Sequence, residues 1–564
     1  MTLRFKDLLS GQPLKDFILI LLLGLMVGYP LLRLLGESFI YGGHLSLENY
    51  RQIATQPANY IALGRTLALG IVVTVLATAA GAMLAWLVAR TDLPAKEWLK
   101  PWLLLPYLIP PFIGAFAWTQ LLGPVGYFNK LYQAFSGSEE FLLNIYGWGG
   151  IILVLVLHSY PMGYLTFIGA FGRIDVTLEE AARVAGADRW RVQRDVTLPL
   201  MKPVVLNGAI LVFSYTISNF GVPATLGFSE GLYVLTTRIY DLVNNASLSN
   251  HLALAAALSV ILGLLAGASL LGANLLMRGK NYAVITGKGG GSSTIPLRIW
   301  RRPLALAVAI FVLFFSLAPV LAILLTSFIK AYGLEPAPDN LTLEHYRYVL
   351  CGMPVARRAL FNSAVLALGG ATLAMILGGI TAYVSLKSKW WQRSFLEYLS
   401  NLPHNLPGTV VALAMIITYS QRLPLTGWVL YNTLWIILLA YIIRYLIFPV
   451  RSTAATLSQV AGSLEEAARL SGARWWQAGR DIIFPLAWPG LMAGWFLVLI
   501  PAMHELTVSM LLWSVGNETL GVAVFNLQQA GSVPATAALA VVTIILVFAV
   551  YFLFRRMTKV DTGF

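Results

Sequence analysis

Leu178–Pro203 reads LEEAARVAGADRWRVQRDVTLPLMKP, and Leu464–Pro489 reads LEEAARLSGARWWQAGRDIIFPLAWP. The two stretches are identical at 14 of 26 positions, without a gap, at a constant offset of 286 residues. Both are charged and helical in pattern, in a chain that is 58% hydrophobic and only 11% charged. A soluble domain carries about 25% charged residues. Lipid is therefore the expected solvent, and a polar block kept twice is expected to touch something outside it.

Apolar stretches flank both blocks. A bilayer core takes about 20 apolar residues per helix. Candidates fall near 17–35, 66–89, 101–122, 148–170, 203–226 and 252–277, then near 303–327, 363–386, 396–419, 430–449, 489–512 and 534–554. The expected fold is an all-α membrane protein of about twelve transmembrane helices in two sets of six. Each fifth span carries polar residues, which predicts a break in it. With the N-terminus inside, the inner segments hold 28 Lys/Arg and the outer segments 10. This positive-inside bias accounts for the net charge of +14 as topology and argues against nucleic-acid binding. Both termini are then cytoplasmic. The opening MTLRFKDLLSGQPLKD lacks a cleavage site and reads as the lead into a retained first span.

The duplication extends further. LSLENYR at Leu45–Arg51 matches LTLEHYR at Leu341–Arg347, and Pro106/Pro110 in one third span match Pro403/Pro407 in the other. The pairs keep their order across an even number of spans, so the halves are parallel repeats with a pathway expected at their shared interface. The expected domains are 1–277 and 303–564, joined by a Gly/Ser-rich basic linker at 278–302 that reads as a flexible cytoplasmic connector.

Within each block, Thr177-x-x-Glu180 and Ser463-x-x-Glu466 have the form of capping boxes. Leu178, Ala181, Ala182 and Ala185 share one helical face, with small side chains that permit close approach. Gly186 and Gly472 supply the positive φ that ends a helix. An ordinary stable loop would also carry such signals; two copies at the same point of two six-span units favour a docking element.

These residues resemble the EAA loop of ABC importer permeases, E-A-A-x-x-x-G followed by a hydrophobic-Pro. Here it stands as Glu180-Ala181-Ala182, Gly186 and Leu198-Pro199, and as Glu466-Ala467-Ala468, Gly472 and Phe484-Pro485. The resemblance implies a type I importer permease fold with two fused permease domains, and loops 177–203 and 463–489 acting as coupling helices in grooves of an ATP-binding subunit. The fused layout, NYAVITGKG at Asn281–Gly289 and FGVPATL at Phe220–Leu226 look like ferric-iron uptake permeases. Thiamine and phosphonate permeases share related architecture and remain alternatives.

Thr286-Gly287-Lys288-Gly289 lacks the other residues of a phosphate-binding loop. ATP and Mg are therefore expected on two copies of a separate ATPase, and no cofactor on this chain. The short outer loops leave ligand capture to a separate solute-binding protein, periplasmic or extracellular, for a permease of a bacterial inner membrane. No catalytic set is legible. The single Cys351 and six scattered histidines suggest no metal site.

A charge inside a span is costly, which singles out Glu505. At the 286 offset it matches Asn219, and the pair is a candidate lining of the pathway; solvation of Glu505 at the outer edge is the plainer reading. His504 and His404 are weaker candidates, with Asn405 beside the latter. Arg444 is expected to snorkel to the inner edge. The paired prolines are expected to bend the third spans. A different class, an ion-gradient-driven secondary transporter with Glu505 as ion site, explains the spans and leaves the twin blocks idle.

Overall fold

The structure, a computed structural model, describes residues 12–172, 174–245, 250–277, 294–422, 427–461 and 463–558. Asn281–Gly289, with the decoy at Lys288, and the first eleven residues lie outside the described residues.

Apart from connecting loops, a hairpin of Ile40–Tyr41 with His44–Leu45 and isolated bridges, the described residues are helical, as lipid demands when every backbone group must be satisfied within its own segment. Nine helices among the described residues are long and apolar enough to cross a membrane, and eleven spans result if each bent pair counts once. The ninth expected stretch, 396–419, divides into Trp390–Asn405 and Gly408–Tyr419, the latter apolar but short. The division falls at Leu406 and Pro407, where Pro407 cannot donate to the helix. The first half divides at the matching point: Lys96–Leu108 and Pro111–Ser136 bend by 103° across Ile109 and Pro110. The second proline of each pair, Pro110 and Pro407, thus stands at an outright break, while Pro106 and Pro403 lie inside the preceding helices.

The parallel repeat is visible in packing as well as in order. Gly81 lets the second span close on the fourth, since a Cβ there would lie 2.7 Å from the Tyr160 carbonyl oxygen. Gly378, its counterpart at an offset of 297, does the same against Pro449, with 2.7 Å to Cγ. Small residues are the usual means of close helix approach in lipid. The LSLENYR and LTLEHYR copies also have matching work. Ser46 and Thr342 hydroxyls accept from the Glu48 and Glu344 amides, starting a helical turn. Tyr50 and Tyr346 then bond Ser38 and Ser327 at 2.8 and 2.7 Å, tying that turn to the end of each first span.

The first spans are exchanged between halves. Leu19 and Leu23 of Leu14–Ser38 pack with Val384, Leu396, Leu446 and Val450 of the second half. Reciprocally, Phe311 and Phe315 of Arg298–Phe328 meet Tyr160 and Trp118 of the first, at 5.5 and 6.1 Å between ring centres. Sequence-continuous halves are therefore not separate bodies. The end of the linker is ordered too: Ile295 forms a parallel bridge with Thr91, and Leu297 donates to Asp92 at 2.8 Å. That corrects a flexible connector over its last residues, 294–302; residues 278–293 lie outside the described residues.

Candidate functional site: the repeated helices and the broken spans

Each repeated block forms a short helix, Val176–Val184 and Ser463–Leu470. The first is not capped as expected. Asp175 is its N-cap, accepting from the Thr177 amide at 2.9 Å, and Thr177 already lies in the first turn. Asp serves because its carboxylate reaches a free backbone N–H and favours the positive helix end. Ser463 is likewise inside its helix, and residue 462 before it lies outside the described residues. The glycines act as the pattern requires. Gly186 and Gly472 have φ of 90° and 89°. Their amides bond Arg183 and Arg469 carbonyls, and the next amides reach Ala182 and Ala468, at 2.9 and 3.0 Å. This double bond is the Schellman closure of a helix.

Glu180, Ala181, Gly186, Glu466, Ala467 and Gly472 are exposed, and Ala182 and Ala468 half-buried. Val184 and Leu470, equivalent at the 286 offset, are both 90% exposed. Each helix thus presents an apolar knob flanked by acid and alanine. A single exposed apolar residue is ordinary; the same one at both copies forms a paired surface.

The acids that hold these helices are the neighbouring ones. Glu179 is buried and accepts from Arg90, the last residue of the second span, at 2.5 Å, and from the Thr197 hydroxyl at 2.9 Å. Both side chains of the ion pair are fully buried. In the second half Glu465 takes the same place. Lys387, again the last residue of its span, reaches it at 2.5 Å, with Arg469 at 2.7 Å and the Tyr383 hydroxyl at 3.1 Å. Burial pushes the Glu465 carboxyl up, but the Lys387 bond and charge, with Tyr383 and Arg469, outweigh it and hold the carboxyl below its usual range. Lys387 remains 37% exposed, so this anchor is wetter than the first.

Beyond each repeated helix the chain enters its fifth span through a π-helical turn, Gln193–Thr197 and Gly479–Ile483. The fifth spans are broken where their polar residues predict. Leu198–Ser218 stops before Asn219, and Gly221–Gly227 follows. Phe484–Met503 stops before His504, and Ser509–Leu512 follows. Asn219 Oδ1 accepts from the Val222 amide at 3.0 Å. The Glu505 carboxylate accepts from the Val508 and Ser509 amides, each at 2.9 Å, and from the Ser509 hydroxyl. Both side chains turn back to satisfy amides freed by the break. Glu505 is 6% exposed, which excludes solvation at the outer edge.

The breaks meet. A Cβ on Gly221 would lie 2.7 Å from Phe112 Cβ, in the first turn after the third-span break of the same half, and 3.3 Å from Leu506 across the interface. In the second half, a Cβ on Gly408 would meet Thr507 at 2.9 Å and the Arg444 guanidinium at 3.2 Å. Arg444 does not snorkel. Its Nη1 donates to the Leu406 carbonyl at 3.3 Å, a carbonyl that the Pro407 break leaves without its helical partner. His158, its equivalent at the 286 offset, is buried against Gly114. His404 and His504 are half-buried beside these breaks, His404 with its ring edge on Phe448 at 4.8 Å.

Two long segments of the chain, residues 77–277 and 354–560, match the family of binding-protein-dependent transport system inner membrane components. The chain belongs to this family. It is a multi-pass permease of an ABC importer, with the permease domain present twice. The ferric transport system permease protein FbpB of Actinobacillus pleuropneumoniae is 24% identical over 95% of this chain and 77% of its own length. The Fe(3+)-transport system permease protein FbpB 2 of Haemophilus influenzae is 24% identical over 94% of this chain and 96% of its own. The molybdenum transport system permease ModB of Escherichia coli is 34% identical over 26% of this chain. Among solved structures, a bacterial alginate ABC transporter in complex with a periplasmic protein covers 46% of the permease at 18% identity, with a TM-score of 0.36.

Sequence reasoning missed Glu179 and Glu465. Each stands beside a second Glu of the same type, and its partner lies far along the chain. The available signal was that both second spans end on a base, Arg90 and Lys387.

Proposed function

We propose that the permease imports ferric iron, driven by two copies of an ATPase that seat on Val176–Val184 and Ser463–Leu470. The supporting observation is the paired exposure of Val184 and Leu470 beside Glu180 and Glu466. An apolar knob at the closed end of a short, anchored helix suits a groove on a partner. ATP and Mg belong to that partner, whose hydrolysis supplies the work. The repeated helices face the cytoplasm, with both termini, and a separate solute-binding protein delivers cargo to the opposite face. The iron cargo rests on the ferric transport relatives.

The transmission runs through named contacts. Approach of the ATPase subunits moves the two helices. Arg90–Glu179 and Lys387–Glu465 carry that motion to the second spans, and the π-helical turns carry it to the fifth. The fifth spans flex at Asn219 and at His504–Glu505, where backbone bonds are already replaced by side-chain caps. Asn219, Glu505, His504 and His404 stand at these flexing points and form the candidate pathway lining.

Reconstitution tests the proposal. Vesicles holding permease and ATPase, given the binding protein and ferric iron, should accumulate iron only with ATP. Iron uptake by the permease alone, driven by a proton or sodium gradient, would overturn it.

A further inference from the structure

The offset between the halves changes along the chain. Pro110 and Pro407 are 297 residues apart, whereas the fourth spans, which start at Trp148 and Leu434, are 286 apart. The first half is therefore eleven residues longer between these points. Pro111–Leu122 and Gly408–Tyr419 still match at 297, so the extra residues lie in 123–147. That segment holds a ten-residue helix, Tyr127–Ser136, and no helix occupies the described residues of 420–433.

A helix on a water-facing surface turns its apolar side to the protein and its polar side outward. Tyr127–Ser136 does the opposite. Asn129 is buried, donating to the Gly123 and Leu143 carbonyls at 2.7 and 2.6 Å and accepting from the Leu142 and Leu143 amides. The Tyr127 hydroxyl bonds Thr326 at 2.9 Å, and Lys130 donates to the Gly333 carbonyl. On the other side Phe128, Leu131 and Phe135, spaced i, i+3 and i+7, are exposed, Leu131 at 56% and Phe135 at 84%. Phe141 and Leu142, in the stretch that Asn129 holds, are exposed as well. The acids of the segment, Glu139 and Glu140, lie past the helix end and not on the stripe. The path of the chain agrees with this inversion. A span that rises along Lys96–Leu108 is turned by 103° toward the membrane plane before it reaches Ser136. A helix lying in the membrane interface buries an apolar face of this kind among headgroups and acyl chains.

We propose that Tyr127–Ser136 lies in the membrane interface with Phe128, Leu131 and Phe135 set among the lipid, an anchor belonging to the first half. Its bonds to Thr326 and Gly333 reach the end of the second half's first span and the loop after it, so the anchor holds that exchanged span at the same surface. Its assignment to the outer leaflet rests on the proposed orientation; the insertion itself does not.

Spin labels test this in the full permease, with Cys351 replaced, in vesicles of phosphatidylcholine and phosphatidylglycerol. Labels on Leu131→Cys and Phe135→Cys should collide with oxygen more often than with a water-soluble nickel chelate, at a depth of about 5–10 Å below the phosphates. A label on Glu140→Cys should show the reverse order. Nickel collisions prevailing at either 131 or 135 would overturn the proposal. If such labels become shielded only when a solute-binding protein is added, the face belongs to that protein, and the proposal fails in the same way. Phe128→Cys gives the same reading where one of the other variants does not fold. ATP-driven iron uptake by the same vesicles tests the importer reading separately.

Discussion

Glu179 and Glu465 show how one residue type acquires different weight from its surroundings. Removing one partner of a fully buried ion pair leaves an uncompensated charge, at a cost of about 3–5 kcal/mol. Partly exposed pairs are worth about 0–1 kcal/mol. Glu179→Gln should therefore lower the melting temperature markedly and Glu465→Gln only slightly; equal shifts in a thermal-denaturation assay would contradict the assigned burial. The depressed carboxyl of Glu465 fixes a pH dependence. Its stabilisation is fully present above the unfolded pKa, about 4.3, and is lost as pH falls through the lower folded value. The small difference between wild type and Glu465→Gln should persist at neutral pH and vanish in acid below the ordinary carboxylate range. A difference that stays constant across that window would count against the anchor. Single residues were unevenly legible. Gly186 and Gly472 could be read because a positive φ is a local demand. Glu179 could not, because Arg90 and Thr197 come to it only through the fold.

At the scale of elements, the repeated helices depend on their closures. Gly186 and Gly472 have open space around them, so a substitution there meets backbone strain and no clash. A left-handed β-branched residue costs about 1–2 kcal/mol. Gly186→Val and Gly472→Val should leave the permease folded but fray the helix ends. ATPase co-purification should fall, most in the double variant; full retention would mean that the Schellman closures do not shape the docking surface. The broken spans were legible through Pro110, Pro407, Asn219 and Glu505, since each either removes a donor or offers a cap. What these side chains face was not. Asn219 and Glu505 looked like a pathway lining because charge inside a span demands a reason, and part of that reason is local: both cap the helix that follows. The cap at Asp175 escaped the sequence for a related reason. A Ser/Thr-x-x-Glu pattern fits several neighbouring registers, and only the backbone selects one.

The whole molecule is a pair of parallel repeats that cannot be cut at the linker. The duplication of the permease domain and the order of its helices were legible from composition and offset. The exchange of first spans was not, because Leu19 and Phe311 are apolar on any partner. Close approach at Gly81 and Gly378 binds the second and fourth spans in both halves. Gly81→Leu should therefore destabilise by about 1–3 kcal/mol through overpacking, read as a lower melting temperature, and an unaltered melt would contradict the packing. The halves also differ at the ion pairs that hold the repeated helices: a fully buried pair in one and a partly exposed pair in the other. The most direct test of two-point coupling is cysteine cross-linking at Val184 and Leu470, in a background with the exposed Cys351 replaced. Both positions should cross-link to the ATPase, each to one of its two copies, with yields that change on ATP binding. Absence of any cross-link at both positions, in a complex that still takes up iron with ATP, would contradict it.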